Sequence, residues 1–166
     1  MDNWHTYIAN KILPLVEGNP FWNNYLNDIL LDKKLSVGIH LGIFVEPYIS
    51  YILDGRKTVE SRFGMRKQPP YGRVASGDIL LLKYSGGPVI GICKISAVWF
   101  YQLDRKSWST LRKEFADALC AQDSEFWQQR KHASFATLMQ IKSVKQIPPV
   151  DFPKTDRRGW VMLRPP

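Results

Sequence analysis

Cysteine is scarce in this sequence, and the thiols present form no recognisable pair. The 166 residues include two cysteines, Cys93 and Cys120, which stand in unrelated contexts without a C-x-x-C motif or a Cys/His ligand spacing. A disulfide-stabilised secreted scaffold is therefore excluded, because such chains are rich in paired cysteines. We predict two reduced thiols and a cytoplasmic protein.

Long apolar segments are also missing. No segment approaches the roughly 20 consecutive apolar residues that a membrane-spanning helix needs. The N-terminus, with Asp2, Asn3 and His5, lacks the charged start and apolar run of a signal peptide. We therefore predict a protein without a membrane partner.

The motifs of several enzyme classes are absent as well. His5, His40 and His132 are far apart in the sequence and have no H-E-x-x-H motif or cysteine partner, so we predict no metal site. Gly86-Gly87 lacks both the Lys-Ser/Thr of a P-loop and the G-x-G-x-x-G of a dinucleotide-binding fold, and no G-x-S-x-G motif is present. We predict no cofactor.

Acidic residues are outnumbered by basic ones. The chain has 23 Lys and Arg against 15 Asp and Glu, a formal net charge of +8 and an isoelectric point near 9.6. This excess favours a polyanionic partner such as RNA or DNA, because phosphate neutralisation drives sequence-independent binding. With 45% hydrophobic residues, a chain of this length is expected to form one domain with a real core.

Residues 1–36 are predicted to form a helical hairpin. Apolar residues recur at three- and four-residue spacing within residues 4–15 and again within 21–30. Gly18-Asn19-Pro20 separates the two helices, with Pro20 in the first turn of the second. We expect the hairpin to pack on the main domain; a module that docks a protein partner is the alternative.

Residues 37–166 are predicted to form the main domain, an α+β fold. The periodicities and turn residues indicate two helical regions, 46–54 and 107–131, the latter with a second segment that Asp123 caps. They indicate strands at 37–45, 57–63, 79–84, 89–100, 134–141 and 160–163. Hairpin-linked strands in this order favour a mixed or antiparallel curved sheet, or a small β-barrel with flanking helices.

The stretch 52–63 carries the most suggestive chemistry. Gly55 can end a helix, and the extended backbone that follows would place Glu60 and Arg62 on one strand face, with Lys57 at the entrance. A neutral Lys57 could act as a base or nucleophile on an amide or ester. A charged Lys57 with Arg62 would instead bind a phosphate or stabilise an oxyanion. A solvated edge strand or a purely structural ion pair is the alternative.

The loop 64–77 supplies further candidates for ligand binding. It combines Arg66, Lys67 and Arg73 with Tyr71 among prolines and glycines. Such a loop can contact phosphates or cover a site, and it can equally be an exposed connector.

The end of the predicted strand at 79–84, next to the turn Gly86-Gly87, supplies two more candidates for ligand binding. Tyr84 is the aromatic residue that we predict to stack on a base, beside Lys83. Tyr48, Phe63 and Trp99 are alternatives, although such rings are more often part of a core.

Residues 39–147 resemble an ASCH domain, a member of the PUA-like superfamily of small β-barrels. The resemblance rests on a first strand, a helix, and then the sequence Asp54-Gly55-Arg56-Lys57-Thr58-Val59-Glu60-Ser61-Arg62, followed by the turn Gly77-Asp78 and a strand reaching Lys83. It extends to Phe126-Trp127 and the later stretch 135–138. The resemblance implies a barrel with a cleft, and a role in binding RNA or a modified nucleoside.

Some bacterial members of this family resemble N4-acetylcytidine amidohydrolases that use a Lys, a Thr and a Glu, and others are ribonucleases or RNA-binding modules. The family's Lys corresponds to Lys57, but its Thr corresponds to Glu60, so the sequence departs at a catalytic position. For the family's Glu, Glu125 is the best candidate and Glu114 the alternative. The resemblance therefore implies catalytic candidates Lys57, Glu60 and Glu125 in a metal-independent amidohydrolase or ribonuclease, as the alternative to binding alone.

Overall fold

The N-terminal part of the chain is helical. The computed structural model describes residues 3–32 and 35–166, so residues 1–2 and 33–34 of the predicted hairpin lie outside the described residues. Helix α1 is followed without a break by a π-helical turn and by α2, and α3 comes after the turn at residues 17–19. The bounds are Asn3–Tyr7 for α1, Ile8–Ile12 for the π-turn, Leu13–Val16 for α2 and Pro20–Leu31 for α3.

The start of α3 follows directly from its sequence. The Asn19 side chain accepts a hydrogen bond from the backbone N–H of Trp22, and Pro20 occupies the first turn, where its missing N–H costs nothing. The apolar face of these helices, including Ile12 and Leu26, is fully buried in one cluster with residues of the sheet. That face is thereby occupied within the chain. The division of the chain at residue 36 stays a prediction.

Within the part of the chain that the structure describes, three further helices and six strands follow. The helices are α4 (Tyr48–Leu53), α5 (Arg105–Phe115) and α6 (Ser124–Gln128). The strands are β1 (Ile39–Phe44), β2 (Val59–Gly64), β3 (Ile79–Tyr84), β4 (Val89–Gln102), β5 (Phe135–Val150) and β6 (Trp160–Arg164).

The strands form one curled sheet that closes about half of a barrel. Their order is β2-β5-β4-β3-β1-β6. Strands β1 and β3 are parallel, with α4 and β2 in the connection between them, and the other neighbours are antiparallel. The predicted α+β class with a mixed, curved sheet is confirmed. No helix within the described residues is long and apolar enough to cross a membrane.

Two elements differ from the sequence prediction. Strand β5 does not stop at residue 141 but continues to Val150, because its pairing with β4 extends to Val89 through several register shifts. The region 107–131 contains two short helices, α5 and α6, separated by residues 116–123. Asp123 caps α6 as predicted, accepting a hydrogen bond from the N–H of Glu125 at 2.9 Å.

A separate apolar cluster holds α5 and α6 against strands β2 and β5. Leu111, Phe126, Trp127, Val59 and Leu138 are buried in it. Helix α5 is fixed at its N-terminus by a capping box, in which the Asp104 and Ser107 side chains each bond the other's backbone N–H. This packing places the end of α6 beside β2.

Candidate functional site

Lys57 is buried at the entrance to β2. After α4, Gly55 turns the chain with a positive φ of 85°, and the backbone N–H of Lys57 donates to the carbonyl of Tyr51. The Lys57 side chain is only 2% exposed. Its ammonium donates to the carbonyl of Leu119 at 3.0 Å and lies 3.6 Å from Oε2 of Glu60. Lys57 is therefore a buried charge with protein partners rather than a solvated one.

Glu60 and Arg62 share one face of β2, as the strand's two-residue period requires. Glu60 is 6% exposed, and its Oε1 accepts from Nε of Arg62 at 3.0 Å. The other two nitrogens of Arg62 donate to the carbonyls of Gly159 and Ile43, each at 3.0 Å. Arg62 thus ties β2 to β1 and to the turn before β6. These bonds account for three of the five N–H groups of Arg62, one on each nitrogen, so its orientation is fixed by the protein.

Burial dominates the electrostatics of this cluster. Burial away from water lowers the pKa of Lys57. The nearby carboxylate of Glu60 raises this pKa without cancelling the effect of burial, and the positive charge of Arg62 lowers it slightly further. The amine is therefore easier to deprotonate than an exposed lysine.

A cleft of about 400 Å³ opens above the Lys57–Glu60 pair. Lys57 and Glu60, the most buried of its charged residues, form its floor. Its walls contain four aromatic rings, those of Phe44, Tyr48, Phe63 and Phe126, with Ser61 and Arg130 also lining it. The ring centre of Tyr48 lies 5.5 Å from the Lys57 ammonium.

Arg130, beyond the end of α6, is a residue of the cleft that sequence reasoning missed. Its guanidinium lies 3.7 Å from the ring centre of Phe126 and donates to the carbonyl of that residue. Burial lowers the pKa of Arg130. The family resemblance pointed to Phe126-Trp127, four and three residues earlier, and the signal available in the sequence was a cation one helical turn after Phe126.

The two glutamates proposed from the helical region lie outside the cleft lining. Glu125 is exposed on α6, where one of its oxygens accepts from the side chain of Gln129. Glu114 is exposed on α5, away from the cleft. The structure thus brings Lys57 and Glu60 together but does not bring either of these carboxylates to them.

Lys83 and Tyr84 also lie elsewhere. The ammonium of Lys83 donates to the carbonyls of Tyr84 and Gly87, and so closes the turn between β3 and β4. The Tyr84 hydroxyl donates to Oε1 of Glu46 at 2.8 Å, on the surface before α4. Neither residue lines the cleft.

The basic loop forms a small depression next to the cleft. Arg66 and Tyr71 line it together with Arg62, which the depression shares with the cleft. The ammonium of Lys67 lies 5.6 Å from the ring centre of Phe135, and Arg73 is exposed. The loop therefore borders the site without reaching its floor.

A buried polar network supports the site from behind. His40 and Asp78 are fully buried, and Nε2 of His40 is 2.9 Å from the Asp78 carboxylate. Trp160 donates its indole N–H to Nδ1 of His40 at 3.2 Å, which makes Nε2 the nitrogen that carries the proton. The Trp160 ring in turn lies 5.3 Å from the guanidinium of Arg62. The sequence indicated only the Gly77-Asp78 turn, since no local pattern joins residues 40, 78 and 160.

No donor set for a metal ion is present among residues 3–32 and 35–166, where no three His, Cys, Asp or Glu side chains converge. The cleft presents an ammonium, a carboxylate, two guanidinium groups and aromatic rings.

No family model and no curated protein matches the sequence, whereas several solved structures match the fold. The ASCH protein of Zymomonas mobilis has a TM-score of 0.61 and 16% identity, with 76% of this chain and 87% of that chain covered. A serine-to-alanine mutant of the same protein gives 0.62 and 16%, covering 78% and 90%. A protein from Enterococcus faecalis V583 gives 0.52 and 14%, covering 86% and 100%. The chain has the ASCH-domain fold, a half-barrel with flanking helices.

Proposed function

We propose that this protein binds RNA and accepts one nucleobase, or a modified nucleoside, in the cleft. The observation that carries the proposal is the buried Lys57–Glu60 pair at the floor of an aromatic-walled cleft of about 400 Å³. The ASCH-domain fold and the net charge of +8 support it.

The floor offers a donor and an acceptor side by side. The ammonium of Lys57 can donate to a base carbonyl or ring nitrogen, and the carboxylate of Glu60 can accept from an exocyclic amine or ring N–H. Their separation of 3.6 Å suits a base edge on which a donor and an acceptor are neighbours. Because both groups are buried, a ligand that left one of them unpaired would lose affinity.

The walls suit a planar ligand. Aromatic side chains provide stacking surfaces that every base can use, and each base–aromatic stack is worth about 1–3 kcal/mol. Phe63 and Tyr48 provide such rings in the cleft, and Arg130, which already lies against Phe126, adds a cation at the wall.

A residue that fills the cleft tests this proposal. Ser61 lines the cleft, so a Ser61→Trp variant should exclude the base without removing Lys57 or Glu60. Ser76→Trp is the matched control, because Ser76 is exposed and lies outside the cleft. Binding of a fluorescent 12-nucleotide single-stranded RNA would be measured by anisotropy, with the thermal midpoint of each variant checked.

We expect Ser61→Trp to weaken binding about 5- to 150-fold, the loss of one stacked base, and Ser76→Trp to leave it unchanged. Equal affinities for the two folded variants would contradict a base in the cleft. Absence of RNA binding by the unmodified protein would contradict the proposal altogether.

The lowered pKa of Lys57 favours a second candidate, hydrolysis of an acylated base at the same floor. A neutral Lys57 amine would take a proton from water, and the resulting hydroxide would attack the acyl carbon. The Lys57 ammonium would then return this proton to the leaving nitrogen as the C–N bond breaks, which releases the base amine and a carboxylic acid. Glu60 would hold Lys57 in place.

Mass spectrometry tests this candidate. The protein and its Lys57→Met variant would be incubated with acylated cytidines, a nucleoside digest of cellular RNA and a short single-stranded RNA, with Lys142→Met as control. Loss of one species with the protein and the control, but not with Lys57→Met, would establish turnover and identify the bond. Unchanged pools would leave the binding function alone.

A further inference from the structure

A second groove, distinct from the cleft, lies between α5 and the end of α6. It has a volume of about 640 Å³. We call it the α5–α6 groove and define it by two indole rings and four cations: Trp108, Trp127, Arg105, Arg112, Lys113 and Lys131. No acidic side chain is among its lining residues. This concave surface presents positive charge beside the partly exposed indole of Trp108, while Trp127 is buried.

Within residues 3–32 and 35–166, the four cations have no carboxylate partner. Among the described residues, Lys57 and Arg62 take part in ion pairs, whereas no ion pair is formed by any of the groove's lysines or arginines. The carboxylate of Asp104 caps α5, and Glu114 lies on the adjoining surface of that helix. The guanidinium of Arg112 lies 5.7 Å from the ring centre of Trp127. The charge of the groove is therefore available to a polyanion.

The groove and the cleft share an aromatic wall two rings thick. On the cleft side, Phe63 stacks on Trp108, with ring centres 5.6 Å apart and planes only 1° from parallel. Phe126, also on the cleft side, contacts Trp127 at 5.0 Å. The chain itself crosses the wall, because Arg130 lines the cleft and the next residue, Lys131, lines the groove.

Building on the proposed function, we infer that the α5–α6 groove binds the phosphates of the RNA strand that continues from the nucleotide in the cleft. A single strand is the fitting partner, since sequence-independent binding of such strands combines a positive groove with aromatic stacking surfaces. The wall places the two subsites about two rings apart, close enough for neighbouring nucleotides of one strand. The cleft would select the base, and the groove would hold its flanking backbone.

The test compares two pairs of lysines that differ only in position. Lys113→Gln/Lys131→Gln removes two positive charges from the groove, and Lys142→Gln/Lys145→Gln removes two from exposed positions of β5 outside both the cleft and the groove. Both double variants have a net charge of +6, since each loses 2 from +8. Binding of the 12-nucleotide RNA would be measured by anisotropy between 50 and 400 mM salt.

For single strands, log K changes with log salt by about 0.7 for each phosphate contact. If each groove lysine holds one phosphate, the groove variant should reduce the slope by about 1.4 and weaken binding about 25-fold at 0.1 M salt, with 1 M as reference. The β5 variant should keep the slope. Groove and β5 variants with the same slope and affinity would overturn the inference.

The outcomes distinguish this inference from the proposed function. If the two double lysine variants have the same salt slope and RNA affinity while Ser61→Trp still weakens binding, the cleft binds RNA and the groove does not. If the groove variant weakens binding while Ser61→Trp has no effect, the protein binds RNA along α5 and α6, and the base-binding role of the cleft and the continuous strand path are both wrong. Absence of RNA binding by the unmodified protein refutes both.

Discussion

Replacing Lys57 with methionine removes the buried charge while keeping an unbranched side chain. Glu60 remains paired in this variant, because Nε of Arg62 lies 3.0 Å from its carboxylate. The variant loses the hydrogen bond to Leu119, and an unpaired carbonyl costs about 1–3 kcal/mol. It also no longer has to bury an ammonium, which by itself costs several kcal/mol. We expect these effects to offset each other to within about 1 kcal/mol in the free energy of unfolding at pH 7.

The complementary change, Glu60→Gln, should be much more damaging. It leaves two cations, Lys57 and Arg62, without their carboxylate, and Lys57 remains buried. Removal of one partner from a buried ion pair costs about 3–5 kcal/mol, because the remaining charge is uncompensated. The difference in free energy of unfolding between the two variants therefore measures how much the carboxylate of Glu60 stabilises the buried charge of Lys57.

The pH dependence has a definite sign. Burial lowers the pKa of Lys57 in the folded protein. Between that lowered pKa and the ordinary value of lysine, the unfolded chain binds the proton and the folded protein does not, so stability rises with pH through this interval. We therefore expect the unmodified protein to gain stability relative to Lys57→Met from pH 7 to pH 10. The deficit of Glu60→Gln should shrink over the same range.

Urea unfolding followed by tryptophan fluorescence measures these free energies, since the chain has six tryptophans. Lys142→Met controls for the loss of one exposed positive charge. Equal destabilisation by Lys57→Met and Glu60→Gln, with a difference that does not change with pH, would refute a Lys57 charge compensated by Glu60.

Two further predictions concern groups outside the cleft. Trp160→Phe should lower the free energy of unfolding by about 1–3 kcal/mol in urea, because Nδ1 of the buried His40 loses its only donor among the described residues; an unchanged value would contradict the role of that bond. Burial, followed by the charge of Asp151, raises the pKa of Tyr7 to about 12. Above pH 10 the unfolded chain ionises this phenol before the folded protein does, so stability should fall from pH 10 to 12. Tyr7→Phe should reduce that fall, as measured in urea, and an identical pH profile would count against it.

The order of helices and strands follows from local patterns. Apolar periodicity and the pair Asn19-Pro20 define α3, and Asp123 marks the start of α6. The length of β5 does not follow from local sequence, because Pro148 and Pro149 are poor strand residues and only pairing with β4 keeps the segment extended. Tertiary pairing decides that boundary.

The sequence predicted only the part of the site that lies in and just before one strand, β2. Lys57 and Glu60 meet although they are three residues apart, because Lys57 precedes β2, in the segment that follows the turn at Gly55. Phe126 and Arg130 reach the same cleft through the packing of α6 on a shared core, across more than 60 positions of sequence. Arg62 was predicted to bind a ligand, yet its hydrogen bonds to Ile43 and Gly159 depend on neighbours that no spacing rule reveals.

The cations near the cleft differ in how much of their charge a ligand can use. Lys57 is committed to Glu60 and a carbonyl, and Arg62 is committed to three partners, so these two define the shape and hydrogen-bonding pattern of the floor. Arg130 lies against an aromatic face at the wall, and the cations of the α5–α6 groove have no carboxylate partner among the described residues. Phosphate affinity should therefore come mainly from the groove, because burial already lowers the pKa of Arg130 at the wall. Selection of the base should come from the floor, where an unpaired group is costly.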